Sequence, residues 1–494
     1  MKALGQDYTL MLPMAELTIF ALGMMLIDLM LPKEWKWLNA LGAFGGVVMS
    51  AFCVWRIQTN FPQGAAGFQY SLGVDRIAIY FWYLFLASAA IAILMSVRYL
   101  DIEDEQHGEY YALLLMSVVG MMCMAAGLDL ILLFIGLELM AMSTYVLVGF
   151  LRRDRRSNEA ALKYLLLGAF SSGIFAYGLS LLYGLFGSTN LAIIRRGMEG
   201  IAARDPHNPI VIIAVLTILV GLLFKIAAVP FHQWAPDAYE GAPTSITGFM
   251  SVAVKAAAWA LLLRILVFGL LPLRYLYTPV IVFVAIATMT GGNLAALTQT
   301  NTKRLLAYSS IAHVGYMLLA LIAVGTSPIG SPGFTDGIKG ILIYLLVYTF
   351  MNLGVFAVIT SLRQRNVIGD ELDDLAGLYR RAPVEAVLML LFLLSLAGIP
   401  PAAGFLGKYY IFLSLVESQH YWLAAAAVLY ALFGLYYYLR MANSMFMRES
   451  VETERLPISL AMRVAVGVTA LATIVIGVLP EPFIRTVNWS LGLR

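Results

Sequence analysis

Two cysteines in 494 residues leave little room for cluster or thiol chemistry. Cys53 and Cys123 lie in apolar stretches, with no CxxC spacing and no histidine beside them. They read as small buried hydrophobes and not as iron–sulfur or zinc ligands. Charge is also scarce: 12% of the residues are charged, against roughly 25% in soluble globular domains. There is no glycine-rich strand–helix fingerprint and no phosphate-binding P-loop. A redox, nucleotide or metal centre in this chain is therefore not expected. Any energy source is an ion gradient or another subunit.

Apolar residues are what the chain has in plenty, 61% of the total. They fall in long runs, and a helix needs ~20 apolar residues to cross a bilayer. Fourteen candidate spans lie near 13–31, 38–55, 77–97, 110–127, 130–150, 160–186, 209–229, 244–270, 276–297, 304–325, 338–362, 384–416, 422–446 and 459–479. The expected fold is an all-α polytopic membrane protein, without a gap long enough for an extramembrane domain. One lysine and an apolar run without a small-residue cleavage site open the chain, so 13–31 reads as a retained span.

Loop cations set orientation. One side holds Lys33, Lys36, Arg98, Arg152, Arg153, Arg155, Arg156, Lys303, Arg304, Arg363, Arg365, Arg380, Arg381, Arg448 and Arg455. The other holds Lys2, Arg56, Arg195, Arg196, Arg204, Arg274, Lys339, Arg485 and Arg494. The larger set is expected to be cytoplasmic, which turns both termini outward.

The most informative stretch is FKIAAVPFHQWAPDAYEGAPTSITGFMSVAVK, residues 224–255. Pro230 interrupts a span, and Lys225 and Lys255 lie in the flanking helices. A charge at mid-helix in a bilayer costs about 2.5–3.5 kcal/mol on insertion scales. Irregular backbone at that depth survives only where protein buries it or water reaches it. A proton or ion path is the reading that uses both features.

A second broken span follows at Gly398-Ile399-Pro400-Pro401 and carries Lys408. Glu138 precedes Lys225 by 87 residues, and His313 precedes Lys408 by 95. Two five-span units with opposite topology would give an inverted repeat with its broken helices near the midplane; the alternative is a chance likeness of two proline-containing spans. The division expected is an N-terminal three-helix segment (1–109), the two units (110–270 and 271–447) and a C-terminal helix and tail (448–494).

Glu138, Lys225, Lys255, His313 and Lys408 form a possible row of proton carriers. Glu138 is the natural partner of Lys225, each group's protonation depending on the other's charge; a static salt bridge is the bland alternative. His313 has the chemistry for proton transfer, although a lone histidine in a helix can also be a satisfied core residue. Glu16, Asp28, Asp129 and Glu159 sit at weaker positions, and Asp237 and Glu240 read as caps or access-path residues.

At these residues the chain resembles the antiporter-like membrane subunits of proton-pumping NADH:quinone oxidoreductase, respiratory complex I. VPFHQWAPDAYEGAPT, TKRLLAYSSIAHVGYM and LAGIPPAAGFLGKYYIF carry the resemblance, which spans essentially the whole chain. PDAYEGAPT and a lysine at 408 are nearer to subunit N than to subunit M, where an acid is usual at that place; the short tail lacks the lateral helix of subunit L. The resemblance implies that Glu138 modulates Lys225, Lys255 is a connecting lysine and Lys408 ends the hydrophilic axis, with His313 among its polar residues. It also implies flanking membrane subunits in a bacterial inner membrane. Flavin, iron–sulfur clusters and quinone would be held by partner subunits and none by this chain. A multi-subunit cation/proton antiporter and a structural scaffold of the membrane arm remain the competing readings.

Overall fold

The structure is a computed structural model and describes residues 2–363, 369–449 and 458–493. Arg365, Arg455 and Arg494, counted above among the orienting cations, lie outside the described residues, as does the side chain of Lys2. Backbone in a bilayer must satisfy its own N–H and C=O groups, and long apolar runs do this as helices. The helices are α1 (Lys2–Asp28), α2 (Leu38–Asn60), α3 (Arg76–Glu103), α4 (Gly108–Ala126), α5 (Leu130–Val148), α6 (Arg155–Phe186), α7 (Leu191–Arg204), α8 (Pro209–Lys225), α9 (Trp234–Gly241) and α10 (Thr244–Gly269). They continue as α11 (Arg274–Thr298), α12 (Thr302–Thr326), α13 (Pro332–Leu362), α14 (Pro383–Ala397), α15 (Ala403–Glu417), α16 (Tyr421–Met447), α17 (Leu460–Val478) and α18 (Glu481–Ser490).

Among the described residues, twelve helices are long and apolar enough to cross a membrane. The other two expected spans are the broken ones, α8 with α9 and α14 with α15. The run 384–416 is thus two helices separated at Gly398–Ala402, where a left-handed glycine (φ 86°) and two prolines end the first half. Helix α1 starts earlier than its apolar run and carries Pro13 inside it. The sequence reading missed two surface elements: the amphipathic α7, and a short hairpin pairing Ala65–Gly67 with Leu72–Val74.

The core lies in α10, α12 and α13, whose membrane windows are 94%, 94% and 89% buried. Outer helices turn apolar side chains outward, as α16 does with Trp422, Leu429, Leu432 and Tyr436. Helix α10 has π-helical turns at Met250–Val254 and Leu263–Gly269, on either side of the segment that starts at Lys255. Such turns are rare and recur at functional sites.

Three devices occur twice. Asp129 caps α5 and pairs antiparallel with Asn190; Asn301 caps α12 and pairs antiparallel with Glu371. The bonds match: Leu130 N–H donates to Thr189 O and Leu191 N–H to Leu128 O, while Thr302 N–H donates to Asp370 O and Leu372 N–H to Thr300 O. A Cβ on Gly120 of α4 would come within 2.5 Å of Met140 N and 2.6 Å of Gly136 O. On Gly292 of α11 it would meet Ala312 N at 2.6 Å and Tyr308 O at 2.9 Å. Only glycine admits backbones this close. Arg264 of α10 donates to the Ala125 carbonyl at the end of α4 (2.8 Å), and Arg440 of α16 donates to the Leu297 carbonyl at the end of α11 (2.7 Å). From Gly120 to Met140 and from Gly292 to Ala312 the two sets run in one register, 172 residues apart.

Candidate functional site

Both broken helices present carbonyls that have lost their helical donors. Helix α8 ends at Lys225, followed by Ala227 with φ 60°, a left-handed conformation that costs a non-glycine residue about 1–2 kcal/mol. The Phe224 carbonyl is taken by the indole N–H of Trp234 at 2.9 Å, which ties α9 back to the end of α8. In the second break the same service comes from a cation: Lys408 Nζ donates to Ala397 O at 2.6 Å and to Leu396 O at 3.3 Å. A positive group at a helix C-terminus is favoured by the helix dipole. Lys225 precedes its break in sequence and Lys408 follows its own, yet both side chains belong to the break.

The three lysines and the histidine of the expected row are buried: Lys225 and Lys255 are 2% exposed, His313 3% and Lys408 7%. Lys225 donates to Tyr145 Oη at 3.2 Å and lies over that ring. Among the described residues no ion pair joins Lys225 to Glu138, the partner expected from sequence. The buried Oε1 of Glu138 has no hydrogen-bond partner. Tyr145 follows Glu138 by seven residues, so both lie on one face of α5.

From Lys225 towards Lys255 the contacts are aromatic. Tyr145 meets Tyr164 edge-on at 4.6 Å, Tyr164 stacks on Trp234 at 4.4 Å, and Trp234 meets Tyr239 at 6.5 Å. Lys255 lies over the Tyr239 ring at 5.6 Å. Beyond Lys255 the contacts are hydroxyls. Lys255 Nζ donates to Ser310 Oγ at 2.6 Å. The neighbouring Ser309 bonds Tyr438, whose hydroxyl contacts His313 Nε2 at 2.9 Å, and His313 Nδ1 contacts the Tyr344 hydroxyl. Tyr316 packs against His313 at 6.1 Å and under Lys408 at 5.3 Å. Contacts of this kind run from Lys225 through Lys255 and His313 to Lys408, while Glu138, half-buried on α5, touches none of them directly.

Glu16 apart, the weaker candidates are held in fixed pairs. Asp28 binds Lys36 at 3.1 Å and Asn39 at 2.6 Å; Asp129 accepts from the backbone at the start of α5 and from Thr189. Glu159 pairs with Lys163 at 2.8 Å, and Asp237 and Glu240 pair with Arg304 at 2.7 and 2.8 Å. Lys303, counted from sequence as a loop cation, is 3% exposed, held by Asp370 at 3.1 Å and by the Ala242 carbonyl at 3.0 Å. Burial of a charge requires such partners.

Sequence reasoning missed Arg264, 2% exposed within a span, which grips Asp75 with two bonds of 2.7 and 2.6 Å. It also missed the tyrosines. Their signal was present as Tyr344 and Tyr348 at helical spacing on α13 and Tyr437-Tyr438 on α16, but tyrosine in a span reads equally as packing.

A family model described as NADH:quinone oxidoreductase/Mrp antiporter, TM, matches residues 127–434. NADH-quinone oxidoreductase subunit N 1 of Koribacter versatilis (strain Ellin345) is 64% identical, over 99% of this chain and 96% of its own. Subunit N 2 of Solibacter usitatus (strain Ellin6076) is 51% identical over 98% of this chain and 97% of its own. A chain of respiratory complex I from Thermus thermophilus, solved with bound aureothin, matches with a TM-score of 0.78 and 30% identity, covering 96% of this chain and 98% of that one. Near-complete coverage at such identity, on a bundle with two broken helices and a buried line of lysines, means that the chain belongs to the NADH-quinone oxidoreductase subunit N family of antiporter-like membrane proteins.

Proposed function

We propose that this chain carries protons across the membrane along Glu138, Lys225, Lys255, His313 and Lys408, driven by redox chemistry in other subunits of an NADH:quinone oxidoreductase. The observation that supports it best is the row of buried contacts between Lys225 and Lys408, aromatic as far as Lys255 and built on hydroxyls beyond it, with an unpartnered oxygen of Glu138 on the helix that bears Tyr145. Lys225, Lys255 and Lys408 rest on neutral oxygens or rings, and among the described residues none of the three has an acid in contact, so their charges are not locked by ion pairs. Approach of Glu138 favours the charged form of Lys225, and withdrawal favours the neutral one. One charge crossing the membrane potential is worth about 2.3 kcal/mol per 100 mV, so a distant signal can act through local electrostatics.

In this reading flavin, iron–sulfur clusters and quinone are held by partner subunits, and flanking membrane subunits cover part of the apolar surface. The two five-span units are 110–270 and 271–447, between an N-terminal segment (1–109) and a C-terminal helix and tail (448–494). The face bearing Arg152–Arg156 and Arg304 is cytoplasmic, with both termini outside. Lys225→Ala or Glu138→Ala, in the assembled complex, is expected to lower pumping-coupled quinone reduction about tenfold or more, which is about 1.4 kcal/mol or more in barrier. Full turnover in an assembled Lys225→Ala complex would refute the reading and favour a scaffold with idle charges.

A further inference from the structure

We infer that Ser310 is a relay residue of this path, standing where the second unit would otherwise carry its counterpart of Glu138; the inference rests on the proton-carrying reading above. The shared register puts Gly120, Gly136 and Met140 opposite Gly292, Tyr308 and Ala312, and in that count Glu138 falls on Ser310. The first unit places a carboxylate at this point of its second helix. The second places a hydroxyl, and the hydroxyl receives Lys255, which belongs to the first unit.

The surroundings of Ser310 suit transfer better than storage. It is 1% exposed, and its Oγ accepts from the Lys255 ammonium at 2.6 Å. The buried hydroxyls of Tyr239 on α9 and Tyr348 on α13 lie beside it. Tyr348 in turn packs against His313 at 5.1 Å, and Ser309 leads through Tyr438 to the same imidazole. A carboxylate at 310 would pair with Lys255 and hold it charged. A hydroxyl both accepts and donates. When an N–H bond of Lys255 breaks and its proton arrives on Ser310 Oγ, the hydroxyl's own proton leaves to a tyrosine oxygen. Tyr348 packs against the imidazole, and its hydroxyl must turn onto a ring nitrogen to hand its proton on; each hydroxyl then gives one proton as it takes one, lysine is left neutral, and the positive charge ends on His313. No oxidant or reductant is needed.

The test uses the assembled oxidoreductase in inside-out vesicles, with NADH oxidation and proton translocation read together. Ser310→Ala is expected to assemble normally and to lower coupled turnover about tenfold to a hundredfold, the scale of a hydrogen bond to a charged group. Ser310→Thr, which keeps the hydroxyl, is expected to restore most of it. Threonine performing as poorly as alanine would overturn the relay, because shape and not the hydroxyl would then matter. Should alanine disturb assembly, Ser310→Cys keeps the volume with a weaker donor; unchanged turnover there also overturns it. Lys225→Ala run alongside separates the two claims. Loss at Lys225 with full activity in Ser310→Ala refutes the relay alone, and full activity in both refutes the path.

Discussion

The two five-span units differ where they carry charge and agree where they carry load. Each has a capped second helix stitched to the strand-like turn after its third, a glycine that lets its first two helices touch, and an arginine from its fifth helix on the end of its first. The ionisable residues do not repeat. In the shared register Glu138 corresponds to Ser310, and His313, one place past it, to Ala141. Lys408 has no twin after the first break, where Trp234 takes over its carbonyl-capping role. The frame repeats, and the buried ionisable residues set on it do not.

That contrast can be broken by substitution. Arg264→Ala should have the largest effect on stability, about 3 kcal/mol, because it strands the Asp75 carboxylate as well as the Ala125 carbonyl. Arg440→Ala, which releases carbonyls only, should cost about 1–2 kcal/mol. Thermal unfolding of the detergent-solubilised complex measures both, and turnover per assembled complex should stay unchanged. Equal losses would mean that the ion pair adds nothing to the clasp. Gly120→Ala and Gly292→Ala should each destabilise by about 1–3 kcal/mol, since the added methyl meets backbone and not a flexible side chain. A large effect at one glycine and none at the other would deny that the two helix pairs share a register. Smallest are the caps: Asp129→Ala and Asn301→Ala, about 1 kcal/mol each. Hydrogen exchange at Leu130 and Thr302 should speed up in parallel. Exchange that rises at one site only would make the matching bridges a coincidence.

Much of this was legible beforehand because its causes are local. Span length follows from the apolar run, and proline with no N–H breaks a helix wherever it falls, so both broken helices were visible as PFHQW and GIPP. A lysine amid apolar residues announces itself by its cost. Partnerships were not legible in the same way. Glu138 was expected to pair with Lys225 because opposite charges attract, but Tyr145, 80 residues before Lys225, fills the place of the acid. Lys303 read as a loop cation because it adjoins Arg304 at a helix start; a buried Asp370, 67 residues on, could not be foreseen.

From the sequence alone came the membrane class, the helix breaks and four of the ionisable residues committed to the interior (Lys225, Lys255, His313 and Lys408), because hydropathy and backbone chemistry act within a turn or two of the chain. Tertiary packing alone decided which of those residues meet, that a serine stands in the acid's place beside Lys255, and that tyrosines fill the intervals. Contacts between helices depend on rotation and depth, which no run of neighbouring residues encodes.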